Sequence, residues 1–187
     1  MDLTGIVGLI VVLGVVGGAI AIYNRLVRLR NQVKNAWRQI DVQLKRRHDL
    51  IPNLVETVKD YMSYEQETLR QVIEARQKAV AVEGQGPEAA LGAEQELSGA
   101  LGRLFALMEN YPDLKANQNV GRLMEELSTT ENRIAFARQF YNDSVMAKNN
   151  AIQSFPSNMI ANTFGFRPAA YFRIETRERE VPRVDLR

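Results

Sequence analysis

A chain of 187 residues is the size of one ordinary domain, and 45% hydrophobic with 25% charged residues is globular rather than disordered composition. The absence of cysteine excludes disulfides, thiolate metal sites and a thiol nucleophile, and the single histidine excludes any metal site that needs two imidazoles. The net charge of +2 hides a segregation: residues 1–24 carry −1, residues 25–48 carry +7, and residues 49–187 therefore carry −4.

From Leu3 to Ile22 the chain holds no charged residue, and that many helical residues rise about 30 Å, the thickness of a bilayer's hydrocarbon core. This predicts a transmembrane anchor over residues 1–24. Tyr23 suits the membrane interface, and Arg25, Arg28, Arg30 and Lys34 are expected at the membrane surface, in contact with lipid. The excess of Lys and Arg after the span predicts an external N-terminus and a cytoplasmic remainder, a single-pass arrangement in a bacterial inner membrane. A signal peptide cleaved after Ala19-Ile20-Ala21 is the competing expectation, but a basic leading region is missing. Gly14 and Gly18 form a G-x-x-x-G pair, which predicts lateral association of two such helices.

Beyond the span, Leu26, Leu29, Val33, Trp37, Ile40 and Leu44 recur at helical spacing, so the helix is expected to continue out of the membrane. Asp49 suits the cap of a second helix with Pro52 in its first turn, carrying Leu54, Val58, Tyr61 or Met62, Leu69, Val72, Arg76 and Val80. Residues 48–52 then either turn the chain or kink it. Glu83-Gly84-Gln85-Gly86-Pro87 reads as a loop, with Pro87 opening a third helix that carries Leu97, Leu101, Leu104, Met108 and Tyr111. A fourth, long helix is expected from Leu114 to about Ser154, with Val120, Leu123, Leu127, Ile134, Tyr141, Val145 and Ile152 on one stripe. No period-two alternation persists, so the fold class is all-α. Four one-sided helices bury their stripes only against one another, which predicts an antiparallel four-helix bundle over residues 25–155. After Phe155-Pro156 the aromatics Phe164, Phe166, Tyr171 and Phe172 crowd together. Residues 156–187 are therefore expected to form an irregular aromatic and charged C-terminal arm.

The run Tyr23-Asn24-Arg25-Leu26-Val27-Arg28-Leu29-Arg30-Asn31 followed by Asn35-Ala36-Trp37-Arg38-Gln39-Ile40-Asp41 through Arg47-His48-Asp49-Leu50-Ile51-Pro52-Asn53-Leu54 resembles the LemA family of bacterial membrane proteins. Tyr111-Pro112-Asp113-Leu114-Lys115-Ala116-Asn117, Glu131-Asn132-Arg133-Ile134-Ala135-Phe136-Ala137-Arg138 and Phe155-Pro156-Ser157-Asn158 are similar to that family's later motifs. The resemblance implies an N-terminally anchored helical bundle with no assigned enzymatic activity or catalytic residues.

Chemistry-bearing residues are few. His48 beside Asp49 lacks a nucleophile at a readable spacing, and a structural hydrogen bond is the expectation for it. Glu125, Glu126 and Glu131 lack the Glu-x-x-His pattern of a bundle-core di-metal site. Neither a cofactor nor a small-molecule substrate is expected. The basic block is read as membrane-facing rather than nucleic-acid binding, although Lys45, Arg46 and Arg47 stand about 30 Å from the bilayer, beyond a Debye length, and are expected to need another partner. Gln43, Asn132, Arg138 and Asn142 beside Asp41 are expected to form a buried polar network. Phe155, Phe164, Phe166, Tyr171 and Phe172 either dock on their own bundle or meet a neighbouring subunit or partner. The function expected is a non-enzymatic scaffold that forms a homo-oligomer at the membrane. The alternative is a monomeric adaptor or regulatory subunit of a membrane enzyme such as a protease or sensor kinase.

Overall fold

The computed structural model describes residues 2–172, which are all-helical in their regular structure. Helix α1 (Leu3–Val58) is a single rod of 56 residues, about 84 Å long at 1.5 Å per residue. It is long and apolar enough to cross a membrane, and among the described residues nothing buries its apolar N-terminal part. From Leu26 onward the same helix has one buried face, formed by Leu26, Val33, Ile40 and Leu44 as the spacing predicts.

The expected second helix start at Asp49 is corrected. α1 runs through Pro52 without a break, and Asp49 is an exposed residue inside it that caps nothing. The chain turns only at residues 59–65, around buried Met62, whose amide donates to the Val58 carbonyl at 3.0 Å. Helix α2 (Gln66–Ala81) follows. Gly84 and Gly86, at φ +76° and +99°, then supply a left-handed turn that side chains disfavour, and Pro87 opens α3 (Pro87–Met108). The expected fourth helix is divided into a short α4 (Pro112–Ala116) and a long α5 (Gln118–Gln153). Asn117 makes the division by capping α5, its Oδ1 accepting from the amides of Asn119 at 2.9 Å and Val120 at 3.3 Å. The C-terminal arm is less irregular than expected, because residues Ser157–Thr163 form helix α6. The charged stretch Arg173–Arg187 lies outside the described residues.

α1 and α5 pack along most of their length, with rising residue numbers on α1 meeting falling numbers on α5. Leu26 clusters with Ile152, Trp37 meets Tyr141 edge-on at 5.8 Å, Arg46 reaches Glu126 at 3.7 Å, and Asn117 at the start of α5 donates to the Tyr61 hydroxyl at 3.2 Å. α2 and α3 cover the half of this pair farther from the span, where Ile51, Leu54, Val72, Leu97, Leu104 and Leu127 are fully enclosed. Each such side chain contributes about 1.5–3 kcal/mol of burial free energy. In the middle, Val33, Ile40, Leu44, Ile134 and Val145 close around Phe172, and next to the span Leu26, Ala151, Ile152 and Ala161 form a third cluster.

Candidate functional site

Continuing the α1 stripe past Leu44 by three and four residues lands on Arg47 and His48, and continuing again reaches Ile51. The two polar residues therefore sit where the helix geometry demands burial, and they are 1% and 2% exposed. On α3, Glu94 occupies the equivalent position between Ala90 and Leu97 and is 2% exposed. The three form one cluster. An Arg47 amino group donates to Glu94 Oε2, and the other donates to Glu131 Oε1 at 2.5 Å and to Ser98 Oγ at 3.0 Å. His48 Nε2 lies 2.9 Å from Glu94 Oε1, and since a carboxylate only accepts, that nitrogen carries the hydrogen. Burial works against ionisation of Glu94, but the His48 hydrogen bond and the Arg47 charge outweigh it and hold the carboxyl below its ordinary range.

Among the described residues His48 Nδ1 and Arg47 Nε have no hydrogen-bond partner, and neither residue is open to solvent. A histidine oriented by a carboxylate is one element of base catalysis, but a base must reach a substrate proton, and this one is enclosed between helices. The cluster ties α1 to α3 and α5 through buried charge pairs. It replaces the network expected from Gln43, Asn132, Arg138 and Asn142. Asn132 is exposed, Gln43 Oε1 finds no partner among the described residues, and Arg138 lies 5.9 Å from the Phe172 ring centroid. Arg138 is pushed below its ordinary pKa by burial, with the neighbouring Glu131 acting in the opposite direction. Lys45, Arg46 and Arg47, expected to need a partner other than the membrane, each meet a carboxylate of the chain: Lys45 pairs with Glu83 at 3.7 Å, Arg46 with Glu126, and Arg47 with Glu94 and Glu131 inside the bundle. No group of three or more His, Asp or Glu side chains among the described residues is placed to hold a metal ion.

Asn142, expected in that network, has a different role. Its Oδ1 accepts from the Phe172 amide at 2.9 Å while its Nδ2 donates to the Phe172 carbonyl at 3.2 Å. Two turns further along α5, Asn149 treats Ala169 the same way, at 2.9 Å for both bonds. Between Ala169 and Phe172, the Ala170 carbonyl accepts from the Tyr141 hydroxyl at 2.9 Å. Gly165, at φ +68°, reverses the chain so that it reaches these side chains, and the Phe166 amide closes the end of α6 on the Ala161 carbonyl at 2.9 Å. Two asparagines spaced seven residues apart thus bind an extended segment as a neighbouring strand would.

Gly14 and Gly18 have open space beside them, and Arg25, Arg28, Arg30 and Lys34 are exposed. Phe172 is 2% exposed, packed edge-on against Trp37 at 5.3 Å, so its own bundle occupies it. Phe164 and Phe166 meet Tyr23 edge-on at 4.9 and 5.8 Å, Tyr171 is at the surface, and Phe155 is exposed. On the flank of α1 and α5, Val42, Phe136 and Phe140 are exposed around a groove of about 570 Å³ that Arg38, Gln39 and Arg133 also line.

Residues 36–186 match the LemA family, in agreement with the resemblance noted in the sequence. The chain is 27% identical over 175 residues to Magnetosome protein MamQ 1 and to Magnetosome protein MamQ 2 of Paramagnetospirillum magneticum, covering 81% of this chain and 64% of each relative. It is 28% identical over 165 residues to Protein LemA of Metamycoplasma hominis, covering 87% of this chain and 72% of that protein. The chain therefore spans less than two thirds of the length of those MamQ proteins.

Proposed function

Because the chain belongs to the LemA family, we propose that it is a non-enzymatic, membrane-anchored scaffold that self-assembles into a homo-oligomer at the bacterial cytoplasmic membrane. In this reading Leu3–Ile22 spans the bilayer once with the N-terminus outside, and the rest of the chain is an antiparallel four-helix bundle in the cytoplasm. The kinship with magnetosome proteins supports membrane association.

The observation that carries self-assembly is the apolar flank of Val42, Phe136 and Phe140, which are 63%, 73% and 44% exposed. Exposed aromatics grouped beside a groove mark an interaction surface rather than a solvated helix face. Anchoring in a plane raises the effective concentration of every copy, so a modest apolar contact on an upright bundle suffices to assemble it. Gly14 and Gly18 add a close approach between spans. The occupant proposed for the flank is a second copy of the chain.

The test is the mass of the full-length protein in native detergent. The expected result is a discrete multiple of 21.2 kDa that collapses to one copy in a Phe136→Glu, Phe140→Glu variant. A wild-type monomer overturns self-assembly, and a stoichiometric partner co-purifying with that monomer points to the adaptor role instead.

A further inference from the structure

The end of the bundle beside the span carries three exposed apolar side chains that the core does not use: Phe155 at 79%, Met159 at 61% and Phe164 at 60%. They lie in the α5–α6 turn, in α6 and at the residue that ends α6. This element packs on the last turn of the apolar span and the first turns after it, since Ile160 and Ala161 cluster with Ile22, Leu26 and Leu29. Phe164 also stacks edge-on against Tyr23, the residue that follows the span, at 4.9 Å. A helix rises only about 1.5 Å per residue, whereas the headgroup layer beyond the hydrocarbon is about 5–8 Å deep, so anything level with Tyr23 stands within that layer when Leu3–Ile22 spans the bilayer.

The charge of this end matches. Residues 3–40 and 144–172 include no Asp or Glu, while Arg25, Arg28, Arg30, Lys148 and Arg167 all lie within them. Arg30 stands over the Phe166 ring at 5.5 Å, and Lys148 is pushed below its ordinary pKa by burial and by the Arg30 charge. The repulsion that Lys148 feels from Arg30 is offset by external anions, and a layer of anionic headgroups supplies them. Aromatic and methionine side chains beside arginines form the composition of an interfacial element.

We propose that the α5–α6 turn and α6 are a second membrane contact: Phe155, Met159 and Phe164 enter the interfacial layer of the bilayer that holds the anchor, under anionic headgroups facing Arg25, Arg28 and Arg167. The bundle is thereby held to the membrane at two points and cannot rotate freely about α1. This inference rests on the reading of Leu3–Ile22 as a membrane span.

The chain has no native cysteine, so single cysteines introduced at Met159, at Phe155, at Val11 in the span and at Tyr64, which is 93% exposed at the far end, can each carry one environment-sensitive fluorophore. Full-length variants are placed at one chain per nanodisc of phosphatidylcholine with phosphatidylglycerol, and quenching by aqueous iodide is compared with quenching by lipids spin-labelled near the headgroup. The Met159→Cys and Phe155→Cys labels are expected to be quenched by the shallow lipid label, with iodide quenching severalfold weaker than at Tyr64→Cys. Iodide quenching equal to that at Tyr64→Cys overturns the proposal. So does shielding that appears only with several chains per disc, because a second copy then covers the patch. The Val11→Cys label separates the two readings: if it is open to iodide the anchor itself fails, and if it is deep in the bilayer while Met159→Cys is aqueous only the second contact fails.

Discussion

The Nε–H of Arg76 on α2 donates to the main-chain carbonyl of His48 on α1 at 2.6 Å. That carbonyl stands four residues before Pro52, which has no N–H to fill it and whose ring crowds it. A side chain from another helix therefore supplies the donor that the proline removes, and α1 continues. The Arg76→Ala variant is expected to lose about 1.5–3 kcal/mol, the range for a hydrogen bond to a charged group. In a Pro52→Ala background, where residue 52 regains its own donor, the loss should shrink by more than half. Denaturant midpoints of the two single variants and the double variant measure this coupling, and equal losses in both backgrounds would disprove it.

Glu94 is expected to contribute to the acid response of the fold. Its carboxyl is ionised in the folded bundle and held below the ordinary value of 4.5, so it contributes stability above pH 4.5 that is lost as the pH falls through the lower folded value. The Glu94→Gln variant leaves Arg47 buried with one charged partner, and about 3–5 kcal/mol should disappear at neutral pH. Below pH 4.5 its stability should then fall less steeply than that of the wild type. Thermal midpoints across an acid series decide the point, and parallel curves would assign the acid response elsewhere.

The asparagine clamps are readable one amide at a time. The Ala169 and Phe172 amides donate to side chains of α5, so both should exchange slowly with deuterium although they belong to no helix. Asn149→Ala should accelerate Ala169 by about tenfold or more, the equivalent of about 1.4 kcal/mol of lost hydrogen bonding, and Asn142→Ala should do the same at Phe172. Unchanged protection would mean that packing alone holds the segment.

Phe172 and Phe155 have the same chemistry in opposite environments. Phe172→Ala opens a cavity beside Trp37 and Tyr141 and should cost about 3–5 kcal/mol, whereas Phe155→Ala removes an exposed ring and should leave the denaturant midpoint within about 0.5 kcal/mol of the wild type. A large loss at Phe155 would place that ring in a contact within the bundle.

Several boundaries were readable because they depend on neighbours in the chain. Pro87 opens α3 after two glycines with positive φ, as expected, and Leu97, Leu101, Leu104 and Met108 are buried on the stripe that their spacing defines. Asn117 was not singled out, although an asparagine two residues before the amide it caps is a local sign of a helix start. Arg47, His48 and Glu94 also left a sign. Each interrupts an apolar stripe at a position the stripe must bury, and following the 3–4 spacing through polar residues would have placed all three inside. Reading Arg47 as part of the basic surface block concealed this.

What the sequence determined by itself is local: an uncharged span long enough for a bilayer, the arginines after it, helices with one apolar face, and a resemblance to a family whose match covers residues 36–186. Tertiary structure decided everything that depends on a partner far along the chain. Arg47 meets Glu94 and Glu131 across separations of 47 and 84 residues, Arg76 rescues the carbonyl before Pro52 across 28, and Asn142 holds Phe172 across 30. Helical periodicity follows from torsion angles repeated residue by residue, so a short window displays it. Whether a buried charge is neutralised or a proline tolerated depends on which distant helix supplies the compensating group, and only packing brings that group into reach.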